Sequence, residues 1–190
     1  MELPGEHHFR AERTAVIETL DSLTDDEFEN GTTLCDEWAP RDVLAHLMGI
    51  DGGAFAYVKA LGRVDKANKA IVDKARNMSR DRIMNRARHW AAKPAPLARA
   101  GAFFLLGDIT VHHQDILRGL GRTREIPKYG RDALIREGIT LGGTKLLSYR
   151  VEPNDGGRAL GRGQVVRGTS EALGLWLAGR KGIEDELEFV

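Results

Sequence analysis

Cysteine is almost missing from this chain, with one residue, Cys35, in 190. A lone thiol excludes an intramolecular disulfide and a cysteine-rich zinc cage. A reducing compartment, the cytoplasm, is the simple expectation. Long apolar runs are missing too. The longest, Gly101 to Leu106, falls far short of the ~20 residues a membrane span needs, so no membrane partner is expected. Met1 to Glu6 lacks the basic start and apolar core of a signal peptide. Net charge is absent, because Lys and Arg together number 28 and so do Asp and Glu.

What charge there is lies unevenly. Met1 to Asp51 carries 13 acidic and 3 basic residues, whereas Gly52 to Arg99 carries 3 acidic and 12 basic. A basic stretch can mark a nucleic-acid surface. No nucleic-acid motif accompanies this one, so nucleic acid is not expected as a partner. The plainer reading is that the two stretches face each other in the fold or are solvated. The hydrophobic fraction, 42%, is that of an ordinary globular protein. The length suits one large domain with a small appendage.

Helical periodicity dominates. Phe9, Val16, Ile17, Leu20 and Leu23 form one stripe and predict a first helix from Glu6 to Leu23. Thr24 to Glu27 can cap a short turn. Pro40 suits the first position of a second helix, which the apolar pattern carries through Phe55 to about Leu61, with Gly52-Gly53 as a soft spot. A short basic helix is expected over Lys66 to Arg76. Ser79 reads as an N-cap for a further helix with Ile83, Met84, Ala87, Trp90 and Ala91 inward, stopped by Pro94 and Pro96. Long helices are expected from Leu97 to Leu120 and from Arg131 to Leu147. The last forty residues change character. Tyr149 to Glu152 and Gly163 to Gly168 predict two short strands around an Asn154 to Gly157 turn, closed by a helix from Thr169 to Ala178. The expected fold is therefore mainly α, with a helix bundle over residues 1–148 and a small β-hairpin plus helix over 149–190.

The sharpest local feature is Asp108 to Ile116, DITVHHQDI. Residues four apart share a helix face, so Asp108 and His112 are neighbours. Asp115 returns to within about 20° of Asp108, and His113 points roughly 100° from His112. A carboxylate and an imidazole so placed can share a cation if another helix brings a third ligand. His46, inside the apolar run Val43 to Leu47, is the best candidate. Two imidazoles and one carboxylate make an open site for a divalent ion, zinc first, with nickel, iron(II) or manganese as alternatives. The plainer readings are a packed core histidine at 46 and a local ion pair at 108 and 112. Cys35 reads more simply as a small packing residue beside Trp38 than as a nucleophile.

Two stretches carry a resemblance. Leu34 to Leu47, LCDEWAPRDVLAHL, resembles the signature LCxGWxxRDVLAHL of actinobacterial proteins related to mycothiol-dependent maleylpyruvate isomerase. Asp108 to Gly121, DITVHHQDILRGLG, resembles their second signature, ExxxHHxDIxRxLG. Arg158 to Arg180 is similar to their C-terminal stretch. The resemblance implies a DinB-like up-down-down-up four-helix bundle. It implies His46 and His112 as metal ligands, with Asp108 where the family has a ligand glutamate. Asp42 and Asp115 are candidates to orient the imidazoles. The implied activity is that of a metal-dependent isomerase or thiol transferase that activates a low-molecular-weight thiol, mycothiol, for attack on an electrophilic substrate. The alternative is a non-catalytic metal-containing ligand-binding or sensor module. A homodimer is an option in either case.

Overall fold

The computed structural model describes residues 3–52 and 64–190, with side chains described for 3–50 and 68–190. The expected continuation of the second helix through Phe55 lies outside the described residues. The chain divides into two compact units, 1–105 with 115–122, and 106–114 with 123–190.

The first unit holds α1 (Glu6–Asp21), α2 (Asp25–Asn30), α3 (Pro40–Gly52), α4 (Val64–Arg76), α5 (Arg80–Ala92), α6 (Pro96–Ala100) and both ends of α7 (Ala102–Gly119). The caps sit where the sequence puts them. Thr24 Oγ1 accepts the Glu27 N–H at 3.2 Å while a Glu27 carboxylate oxygen accepts the Thr24 N–H at 2.8 Å, a reciprocal box that satisfies two orphan donors. Ser79 caps α5 through the Arg82 N–H. The stripe of α1 and the inward set of α5 are buried, with Phe9, Val16, Leu20, Ile83 and Ala87 at zero exposure. These two helices pack on each other, and α3 packs on α2 and α4.

The helix expected from Leu97 to Leu120 is two helices. Pro96 starts α6, and Gly101 (φ −91°, ψ 7°) ends it and begins α7. Glycine has low helix propensity, and here it takes the break.

The uneven charge resolves inside this unit. Arg88 reaches Asp21 at 2.6 Å, Arg76 reaches Asp42 at 2.8 Å, Arg99 reaches Glu6 at 2.8 Å, and Arg80 pairs with Asp25. The acidic stretch thus faces the basic one. Hydrogen bonds from Arg99, then Arg10, hold the Glu6 carboxyl down at about 2. Arg13 is fully buried. Its guanidinium lies 3.8 Å from the centre of the Trp90 ring and donates to the Trp90 carbonyl.

The second unit holds the middle of α7, then α8 (Lys128–Gly142), a 3-10 turn (Gly143–Leu147), strands β1 (Tyr149–Pro153), β2 (Leu160–Gly161) and β3 (Gln164–Gly168), α9 (Ser170–Leu177) and β4 (Glu188–Phe189). Helices α8 and α9 approach closely because both are bare where they cross. A Cβ on Gly138 would lie 2.6 Å from the Gly174 carbonyl oxygen, and one on Gly174 would lie 2.8 Å from the Leu134 backbone. Alanine normally gains ~1 kcal/mol over glycine in a helix. Here the clash is with backbone, which cannot rotate away, and overpacking costs ~1–3 kcal/mol. Gly138→Ala should therefore lower the urea midpoint; an unchanged or raised midpoint would show that the helices separate freely.

The strands expected as a hairpin pair in parallel instead. The sheet order is β2-β1-β3-β4, with β1 parallel to β3 from Tyr149↔Gln164 to Pro153↔Gly168, and β2 antiparallel on the other edge of β1. The chain leaves β1, returns along its far side as β2, and passes beneath its start to rise again as β3. Gly161 (φ +85°) and Gly163 (φ +99°) make that passage, where a Cβ would lie 2.3 Å from the Tyr149 oxygen and 2.1 Å from the Ser148 oxygen. The rings of Tyr149, Trp176 and Phe189 meet edge-on, tying β1, α9 and β4 together.

Candidate metal centre

His46 lies in the middle of α3 and is buried, its ring centroid 5.1 Å from that of Trp38. Asp108 and His112 lie one turn apart on α7, with His112 Nε2 3.6 Å from Asp108 Oδ1. That gap is too long for a hydrogen bond. The other carboxylate oxygen, Asp108 Oδ2, is buried and has no hydrogen-bond partner among the described residues. A buried acceptor left unsatisfied is costly, and each calls for an explanation.

One ligand atom from each of His46, Asp108 and His112 lies within 4.8 Å of the other two. Ligands ~2.0–2.2 Å from one ion stand up to about 4.4 Å apart, close to that limit. The donor set fits a divalent ion. Two neutral imidazoles and one carboxylate leave a net positive centre with open positions. Aspartate stands where the family signature has glutamate, yet its carboxylate is within this cluster. Asp108→Glu should retain or tighten zinc or cobalt binding and Asp108→Ala should weaken it, as read by chelator competition. Loss of binding in the Glu variant would mean that the short side chain is required.

The two residues expected to orient the imidazoles have definite partners. Asp115 is fully buried and accepts the Cys35 thiol proton at an S···O distance of 3.1 Å. Asp42 accepts a two-pronged contact from Arg76, at 3.0 and 2.8 Å, and the Ala39 N–H at 3.3 Å. His113 is fully buried. Its replacement by alanine is expected to lower stability while leaving metal content near that of the parent.

Sequence reasoning passed over Glu137. It lies on α8, half-buried, and Gly107 makes room for it. A Cβ on Gly107 would sit 2.7 Å from Glu137 Oε2. Burial first, then the charge of Asp108, pushes its carboxyl up to about 7, against opposing contributions from His112, Arg136 and Arg180. The available signal was weak. Glu137 is three residues after buried Leu134 and one before buried Gly138, so it interrupts an apolar face.

Residues 9–100 match the family described as the mycothiol maleylpyruvate isomerase N-terminal domain. No curated protein matches the chain. Two solved structures share its fold. One is the crystal structure of the mycothiol-dependent maleylpyruvate isomerase, with TM-score 0.70 and 15% identity over 98% of this chain and 93% of that one. The other is a histidine-to-alanine mutant of a mycothiol-dependent maleylpyruvate isomerase, with TM-score 0.70, 14% identity and the same coverage. Residues 9–100 thus resemble that N-terminal domain, and nearly the whole chain shares the fold of the mycothiol-dependent maleylpyruvate isomerase.

Proposed function

We propose that this protein is a metal-dependent enzyme that activates a low-molecular-weight thiol for attack on an electrophilic carbon. The observation that carries the reading is the clustering of one ligand atom each from His46, Asp108 and His112 within 4.8 Å of one another. These three side chains would hold the ion, zinc in the first instance. When bound, such an ion supplies the positive charge that favours a thiolate over a thiol, and the thiolate is the nucleophilic form.

The rest falls to the chain. The imidazoles donate as neutral ligands, and Asp108 offsets one unit of the ion's charge. Trp38 packs against the His46 ring and limits rotation of that ligand. Glu137, half-buried with its carboxyl raised by burial and then by the Asp108 charge, is placed to hold a proton near the site. The thiolate adds to an electrophilic double bond of the second substrate. Elimination after rotation gives isomerisation, and retention gives a thiol conjugate. Mycothiol is the thiol proposed from the family, and the reaction class proposed is isomerisation or thiol transfer.

The test uses a thiol and an electrophile directly. Cobalt-substituted protein should change its visible absorption when mycothiol is added, and consumption of mycothiol with maleylpyruvate should stop when a chelator removes the metal. Metal uptake without either response would leave a metal-containing binding module instead.

A further inference from the structure

We propose that Cys35 is a positioning residue for the metal centre, its thiol proton fixing the Asp115 carboxylate that in turn sets the ring of His112. This inference rests on the metal-binding reading above and adds to it a residue outside the ligand set.

The loop that carries Cys35 is held against α7 at several points. The Leu34 N–H donates to the Asp115 carbonyl at 3.1 Å, and the Thr32 hydroxyl donates to the Gly119 carbonyl at 2.6 Å. Gly119 is bare where the loop lies on it, since a Cβ there would stand 2.3 Å from the Thr33 Cα. Thr33 Oγ1 accepts the Cys35 N–H at 3.1 Å and donates to the Trp38 carbonyl at 2.8 Å, closing the loop on itself. Glu37 adopts φ +66° to allow this shape, where the family signature has glycine. The strained loop delivers Trp38 to the ring of His46 and Cys35 to Asp115.

The thiol donates to Asp115 Oδ2 at 3.1 Å. Asp115 follows His112 by three residues on one helix, the spacing at which side chains meet. The Cys35 sulfur, an Asp115 oxygen and a His112 nitrogen lie within 4.8 Å of one another. A carboxylate beside a ligand imidazole fixes its tautomer and orientation, and losing such an outer partner typically costs ~10–100-fold in metal affinity. Cys35 supplies a donor that helps to hold this carboxylate in place. The thiol works here through its proton, as a donor, so no bond to sulfur forms or breaks.

Cys35→Ala and Cys35→Ser in the full chain separate this role from packing. Cobalt affinity is measured by chelator competition, and the ring nitrogen signals of His112 are followed by NMR in metal-free protein. Alanine should weaken cobalt binding by several-fold, up to the ~10-fold lower end for loss of a direct outer partner, and shift the His112 ring signals. Serine keeps a donor and should restore both to near the parent values. Unchanged affinity and ring signals in the alanine variant would overturn the proposal, as would a serine variant that behaves like alanine. A sulfur-to-cobalt charge-transfer absorption abolished by Cys35→Ser would make the thiol a ligand and overturn it too. If the parent protein takes up no cobalt, the metal-binding reading fails, and the His112 ring signals still decide whether Cys35 positions that imidazole.

Discussion

His46→Ala and His112→Ala should each reduce tightly bound zinc or cobalt from one equivalent per chain to background. Both side chains are buried, so neither can be replaced by a neighbouring exposed group without rearrangement. Each removes one of three ligand atoms in the 4.8 Å cluster, and the remaining two cannot close a three-ligand site. The loss should exceed the ~10–100-fold that an outer partner costs. Elemental analysis after dialysis, on protein purified without an affinity tag, measures it. Full metal content in both variants would remove the site. Full content in His46→Ala with loss in His112→Ala would mean that the ion is held around His112 by other groups, for which the Cys35, Asp115 and His112 set is the alternative among the described residues.

The two imidazoles were legible for different reasons. His112 came from spacing, because a carboxylate four residues before a histidine on a helix has one geometry. His46 came from context, a polar ring inside Val43 to Leu47. Helix existence was legible wherever the apolar stripe was long, as in α1 and α5, and wherever a side chain capped an end, as at Thr24, Ser79 and Thr169. Local chemistry sets those features. The parallel pairing of β1 and β3 was not legible, since two short strands separated by a turn carry the same pattern whether they run parallel or antiparallel. The choice is made by Gly161 and Gly163, which let the chain pass beneath β1. Strands β2 and β4 have two residues each, too few for any alternation to register. The charge asymmetry was visible, but only the fold pairs Asp21 with Arg88 and Glu6 with Arg99.

Glu137 is the residue beside Asp108 that spacing hides best, and it carries the second large effect. Replacing it with glutamine should flatten the stability of the metal-free protein between pH 4.5 and 7. Burial and the Asp108 charge raise its folded value to about 7 from an ordinary 4.5. Below pH 4.5 folded and unfolded chains both hold the proton, and the contribution to stability is fully present. As pH climbs from 4.5 to 7 the unfolded chain releases its proton first, so the folded state loses ground. Above 7 the carboxylate is ionised in both states and the penalty is constant. A tenfold difference in proton affinity between the two states is worth ~1.4 kcal/mol, and solvent reaching this half-buried side chain reduces the whole effect to about 1–2 kcal/mol. Glu137→Gln should therefore match the parent near pH 4.5 and exceed it at pH 8 by that amount, as read from urea midpoints. A cation bound beside Asp108 and His112 favours the ionised carboxylate, so added zinc should narrow the gap at pH 8. Parallel pH profiles for parent and variant would mean that Glu137 ionises as an ordinary surface carboxylate does, and would take with them its part in holding a proton at the site.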